Sequence, residues 1–159
     1  MKNIYLGIIT STHGIKGELK IKSTFAYKDK AFKIGNKLTI DNKDYTIKSY
    51  RVHKGFDMVT LDNYHDINEV LFLLKKKVFI KEEELKLEKE EVLDEDLLTY
   101  DALTTDGKRG IIKEIFYASE KNKIIRVDFG KEVLVPMNTP LIKIDVDKKE
   151  IIIDDILVK

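Results

Sequence analysis

Six residues near the start of the chain combine side chains that can bind anions or proteins with the glycines of a tight turn. They are His13, Gly14, Ile15, Lys16, Gly17 and Glu18. Two glycines three positions apart indicate a loop whose backbone adopts positive φ or closely approaches a neighbour. A plain hairpin with polar side chains gives the same pattern, so both interpretations stay open. Glycines that serve only the turn are at least as well supported as glycines at a contact.

The rest of the chain contains no pattern that indicates catalysis or a bound cofactor. The three histidines, His13, His53 and His65, are far apart and form no helical metal-binding pair. No serine lies in a nucleophile elbow, and no glycine-rich loop has the form of a phosphate or dinucleotide site. The segment Gly107 to Gly110 is typical of a hairpin turn. We therefore expect a binding protein with no catalytic residue, no metal and no cofactor.

Composition restricts where such a protein works. The chain has 159 residues, is 43% hydrophobic and contains no cysteine, which is typical of a globular protein of a reducing compartment. Its first apolar run is too short for a signal peptide or a membrane span. These features favour a cytoplasmic protein without a membrane partner.

Charge is divided unevenly along the chain. Residues 1–80 hold 15 basic and 8 acidic residues, a net charge of +7. Residues 81–96 hold 3 basic and 9 acidic residues, and residues 97–159 hold 11 of each. Residues 81–96 could form a short helix or an extended tether, and we interpret them as a solvated acidic linker between a basic domain, 1–80, and a neutral domain, 97–159.

Both domains show the period of two that is typical of half-buried strands. Leu19 and Ile21 alternate with charged residues, and Ile125, Val127 and Phe129 do the same in the second domain. Asp66 is placed to cap one short helix that extends to Leu74. The sequence therefore predicts a mainly β protein: two small antiparallel β-barrels joined by the linker, with one short helix in the first domain.

Taken together, these motifs resemble the RimM family of ribosome maturation factors, the 16S rRNA processing proteins. The family's opening pattern is matched by Gly7, His13, Gly14, Ile15, Lys16, Gly17 and Glu18, and its middle pattern by Arg51, His53, Lys54 and Gly55. The PRC-barrel of its second half is matched by Gly107, Gly110, Pro136 and Asp145. The resemblance covers nearly the whole chain.

The resemblance implies a non-catalytic, chaperone-like factor that binds the immature small (30S) ribosomal subunit. Its implied partners are ribosomal protein S19 and 16S rRNA, and we expect a monomer. The predicted contact residues lie on glycine-bounded loops and beside the linker. They are His13, Gly14, Lys16, Gly17, Glu18, Arg51, His53, Lys54, Tyr100 and Asp101.

The chain departs from the family at the start of the second barrel, where an aromatic pair is usual. Leu98-Thr99 occupies that place, and Tyr100 is the only nearby ring. Two alternatives remain: a barrel-fold enzyme acting on RNA or a nucleotide cofactor, and a PRC-barrel adaptor with no ribosomal role.

Overall fold

The computed structural model describes residues 2–119 and 121–159 and divides the chain into two units, Met1–Lys86 and Leu87–Lys159. The division falls inside the segment predicted as a linker. Counted by these units, the first has 17 basic and 11 acidic residues and the second has 12 and 17. The net charges are therefore +6 and −5, and the negative charge of the second unit comes from residues 87–96, since 97–159 alone is neutral.

The first unit is a closed six-stranded barrel. Its strands pair in the order β1-β2-β5-β4-β3-β6, and every pair is antiparallel. They are β1 (Asn3–His13), β2 (Glu18–Ser23), β3 (Lys37–Ile40), β4 (Lys43–His53), β5 (Phe56–Leu61) and β6 (Lys77–Lys81). The predicted alternation is confirmed, because Leu19 and Ile21 are fully buried while Lys20 and Lys22 are not.

Three short helices accompany this barrel: α1 (Lys28–Ala31), α2 (Ile67–Val70) and α3 (Glu82–Leu85). The predicted helix is α2, which a 3-10 turn, Leu71–Leu73, extends. The Asp66 carboxylate accepts the Asn68 backbone N–H at 2.6 Å, and Glu69 completes a capping box. Sequence analysis missed α1, which is as short as α2 but has no side-chain cap to mark its start, and α3 lies in the segment 81–96, where a short helix was one of the two forms considered.

Helix α1 lies over a charged residue inside the barrel. Asp57 is buried on β5, where the Tyr50 hydroxyl donates to Oδ1 at 2.6 Å and Lys28 Nζ lies 3.0 Å from Oδ2. The Phe32 ring, just after α1, stacks on the Tyr50 ring with centroids 5.4 Å apart. A buried carboxylate needs such partners, so this group fixes α1 to the barrel.

The second unit is a six-stranded sheet around a core of its own. It comprises β7 (Asp101–Thr104), β8 (Arg109–Ser119), β9 (Asn122–Asp128), β10 (Glu132–Pro136), β11 (Ile142–Asp145) and β12 (Glu150–Ile153), in the order β10-β9-β8-β7-β12-β11. One helix, α4 (Asp94–Leu97), precedes the sheet, and a 3-10 turn, Asp155–Val158, follows it. Strands β7 and β12 are parallel, which the period of two could not predict because it carries no information about strand direction.

The expectation of a solvated linker over 81–96 is corrected by the burial of its few apolar residues. Leu85 is buried in the first unit, and Val92 belongs to the core of the second. Asp94 accepts hydrogen bonds from the Tyr117 hydroxyl at 2.7 Å and from Lys123 Nζ at 2.6 Å. The sequence did not indicate these contacts, because the acidic composition of the segment does not show which of its side chains face the core.

Candidate functional site

The predicted site residues of the first unit lie on one outer face of the barrel, formed by β2, β5 and β4. Lys20, Met58 and Arg51 are directly opposite one another across these strands, and Glu18, Thr60 and Ser49 belong to the adjacent row. Residues opposite each other in a sheet share a face. We call this surface, with its turns at 14–17 and 54–55, the basic face. The two separate sequence motifs therefore form one surface.

An ion pair joins the two motifs at the centre of the basic face. Arg51 Nε donates to Glu18 Oε2 at 2.8 Å, and Arg51 Nη2 donates to Oε1 at 2.7 Å. These hydrogen bonds lower the pKa of Glu18 and raise that of Arg51. A bidentate pair fixes the guanidinium plane and leaves three of its five N–H donors for an anion. Glu18 thus positions Arg51.

Two imidazoles meet on the same face. The ring centroids of His13, at the end of β1, and His53, at the end of β4, are 5.2 Å apart. The pKa of His53 is lowered, first by desolvation and then by the nearby cations Arg51, His13, Lys54 and Lys20. His53 is therefore mostly neutral at pH 7 and gains its charge below its usual value of 6.5.

Sequence analysis missed the residues that lie between these groups. Lys20 Nζ lies 4.0 Å from the centre of the Phe56 ring, a cation–π contact. Met58 is fully buried beneath the face, between Lys20 and Arg51. Alternation along β2 predicts only that Lys20 lies on the solvent side. Its contact with Phe56 depends on the pairing of β2 with β5, which the sequence does not specify.

The β1–β2 turn packs against the capped helix. The backbone N–H of Ile67 donates to the carbonyl of Ile15 at 2.9 Å, and the Ile15 side chain is 80% exposed. A shallow groove of about 420 Å³ lies beside this turn. It is lined by His13, Gly14, Ile15, Lys16, Glu18, Ser49 and Thr60.

The two glycines of this turn differ in their surroundings, which gives a test of its geometry. Both have positive φ, +74° at Gly14 and +82° at Gly17. A Cβ at Gly17 would lie 2.9 Å from the Asp66 carbonyl oxygen, whereas one at Gly14 would meet nothing within 4 Å. Gly14→Ala should therefore cost only the left-handed conformation, about 1 kcal/mol, and Gly17→Ala roughly twice that. Urea unfolding of both variants tests this, and equal losses would contradict the close packing.

The histidines give a second prediction, for binding of a polyanion such as RNA. An anion beside His53 favours the imidazolium, so binding takes up a proton and affinity should increase as the pH falls from about 7.5 to about 5.5. His53→Gln should reduce this increase, and His13→Gln should add to that reduction. His65→Gln is the matched control, because His65 is exposed just before α2. Polarisation titrations at constant salt measure the effect, and a pH response independent of both substitutions would contradict it.

The two predicted site residues of the second unit do not form a loop contact surface. Tyr100 is only 6% exposed and belongs to the core with Leu97, Ala102 and Ile151, so its role as an exposed partner-binding ring is corrected. Burial raises the pKa of its hydroxyl. Asp101 is exposed, and Arg109 Nη1 lies 3.2 Å from Asp101 Oδ2. Tyr100 was misassigned because it was chosen as the only ring near the place of the family's aromatic pair, and nearness in sequence does not give the direction of a side chain.

The described residues contain neither a metal centre nor a membrane-spanning helix. Within 2–119 and 121–159, no three histidine, cysteine, aspartate or glutamate side chains are grouped to hold a metal ion. Over the same residues, no helix has the length and hydropathy to span a membrane.

Comparison with known proteins gives consistent matches. The model of the RimM N-terminal domain matches residues 4–85. Ribosome maturation factor RimM of Staphylococcus aureus strain NCTC 8325 / PS 47 is 35% identical over 158 residues, which cover 94% of each chain. The protein of the same name from strain N315 is 34% identical over 160 residues, again covering 94% of each chain.

Two solved structures are also similar. One is a 16S ribosomal RNA processing protein RimM from Pseudomonas aeruginosa, 20% identical, with a TM-score of 0.49 over 96% of this chain and 97% of that one. The other is the N-terminal domain of RimM from Thermus thermophilus, 14% identical, with a TM-score of 0.47 over 55% of this chain and 98% of that one.

Proposed function

The chain belongs to the RimM family of ribosome maturation factors, and we propose that it binds the immature 30S subunit and assists maturation of 16S rRNA without catalysis. The observation that carries the proposal is the basic face, where Lys16, Lys20, Arg51 and Lys54 share one side of a unit with a net charge of +6. A surface of this charge is suited to RNA phosphates, because each contact releases condensed counterions.

The contacts within the basic face support phosphate binding more than recognition of bases. Arg51 is held in a fixed orientation by Glu18, and Lys16 and Lys54 extend from turns on either side. Arginine held in this way suits the geometry of a phosphate, and lysine acts as a point charge. The groove of about 420 Å³ lined by Lys16 is where we place a stretch of the RNA backbone.

The second unit supplies the protein contact in this proposal. Its net charge of −5 makes it a poor surface for RNA and a suitable one for a basic protein. We assign it the contact with ribosomal protein S19. With Tyr100 in the core, this contact must use exposed residues such as Asp101 and Leu98.

The mechanism is a difference in affinity between states of the subunit. A factor that binds an immature arrangement of RNA and protein more tightly than the mature one stabilises the former until assembly proceeds, and is then released. Such a factor acts as a monomer in the cytoplasm and needs no turnover.

Salt dependence tests the RNA contact. Two to four phosphate contacts predict that the logarithm of affinity falls with the logarithm of salt concentration with a slope of roughly −2 to −3.5. The titration uses the full chain and purified small subunits from about 0.05 to about 0.3 M salt. A slope near zero would remove the RNA contact from the proposal.

A further inference from the structure

The barrel carries a second cluster of aromatic and basic side chains, centred on β6 and β1 and reaching Lys22 on β2, the strand at the edge of the basic face. In the closed order β1-β2-β5-β4-β3-β6, strands β6 and β1 lie across the barrel from β5 and β4. Tyr5 on β1 and Phe79 on β6 are directly opposite each other and form an edge-to-face pair with centroids 5.6 Å apart. The Tyr5 side chain is 51% exposed.

A β-bulge extends this cluster along the sheet. Between Tyr5 and Ile8, β1 has one residue more than β6, so both residues lie opposite outward residues of β6, Phe79 and Lys77. Ile8 is also opposite Lys22 on β2. Two rows result, one of Lys22, Ile8 and Lys77 and one of Tyr5, Phe79 and Thr39. We call these rows the aromatic face.

Charge identifies the kind of partner this face suits. Lys22 and Lys77 are exposed, stand two strand spacings apart, and form no ion pair with any residue that the structure describes. Asp44, which lies on β4 opposite Thr39, accepts hydrogen bonds from Lys81 Nζ at 2.8 Å and from the Thr39 hydroxyl at 2.8 Å. The negative charges of Glu83 and Glu84 help to raise the pKa of Lys81, at the far end of β6. The end of the face at Ile8 is therefore positive.

We propose that the aromatic face binds unpaired nucleotides of RNA, with a base stacked on the Tyr5 ring and the adjoining phosphates on Lys22 and Lys77. An exposed ring on a sheet flanked by cations is how many proteins hold single strands, since every base has a face to stack. Bases within a duplex are already stacked, so this face selects single-stranded RNA. The inference does not depend on the function of the basic face.

The absence of tryptophan from the chain gives a direct test, because Tyr5→Trp then supplies the only indole. Stacking of a base should quench its fluorescence, saturably, when ten-nucleotide oligouridine is added. Phe72→Trp is the matched control, since Phe72 is 55% exposed but lies in the 3-10 turn after α2, beside the Tyr64 ring rather than in the aromatic face. We expect little quenching there, and equal quenching of both variants would overturn the proposal.

Substitutions in the natural background separate stacking from charge. Tyr5→Leu should weaken binding of labelled oligouridine roughly 5- to 150-fold, the range for loss of one base stack, and Tyr5→Phe should restore it. Lys22→Glu with Lys77→Glu should weaken it roughly 50-fold at about 0.1 M salt. Lys16→Glu with Lys54→Glu should change it little, so that failure here is distinct from failure of the proposed function.

Three results would overturn the proposal: unchanged affinity in Tyr5→Leu, equal binding of an RNA hairpin of the same length, or a Tyr5→Trp signal that responds to a purified basic ribosomal protein and not to oligouridine. The last result would make the face a protein contact.

Discussion

Tyr100→Ala should destabilise the second unit by about 3 to 5 kcal/mol, the usual cost of removing a large aromatic side chain from a core. The ring packs among Leu97, Ala102 and Ile151, and a unit of 73 residues has little stability in reserve. Tyr100→Phe is the matched control, because it keeps the ring and removes only the hydroxyl. We expect Tyr100→Phe to keep most of the free energy of unfolding that Tyr100→Ala loses.

Amide NMR spectra and urea unfolding of the full chain measure this effect. The signals of Leu87–Lys159 should lose dispersion in Tyr100→Ala while those of the first unit persist. A Tyr100→Ala chain with unchanged stability and weaker capture of ribosomal protein S19 would contradict the buried position and restore the ring to a partner surface.

The double substitution Lys16→Glu and Lys54→Glu should weaken binding to small subunits about 100-fold at roughly 0.1 M salt and only a few-fold at roughly 0.5 M. Each reversed lysine loses one counterion-releasing contact and adds a repulsive charge. Higher salt should therefore reduce the difference in affinity between the variant and the parent chain. If the variant were unfolded, its affinity would be low at every salt concentration.

A pair with the same change in net charge provides the control for this experiment. Lys33→Glu and Lys86→Glu alter the same unit next to α1 and α3, away from the basic face. They should weaken binding only slightly. Equal losses from both pairs would show that net charge alone governs binding and that the basic face is not the contact.

The fold class was predictable because alternation reports burial directly. Leu19 and Ile21 indicated a strand with one buried face, and Asp66 with Glu69 indicated a capped helix. Strand order and direction were not predictable, since the same alternation fits any neighbour. The parallel pair β7–β12 and the placement of Leu85 and Val92 in two different units depend on tertiary packing alone.

The site was predictable as two motifs but not as one surface. Gly14, Gly17 and Gly55 marked the turns, and all three have positive φ. The contact between Arg51 and Glu18 crosses 33 positions of sequence and depends on β5 lying between β2 and β4. Tyr100 shows the opposite failure, because a ring close in sequence to the family's aromatic position can still face the core rather than the solvent.

Sedimentation tests the central claim most directly. Tagged chain is mixed with immature small subunits, with mature small subunits and with complete ribosomes, and each mixture is separated on a sucrose gradient at about 0.1 M salt. We predict that the chain travels with immature small subunits, much less with the other two particles, and that the Lys16→Glu, Lys54→Glu variant stays at the top of the gradient. A chain that remains at the top with all three particles, or that travels equally with complete ribosomes, would contradict the account.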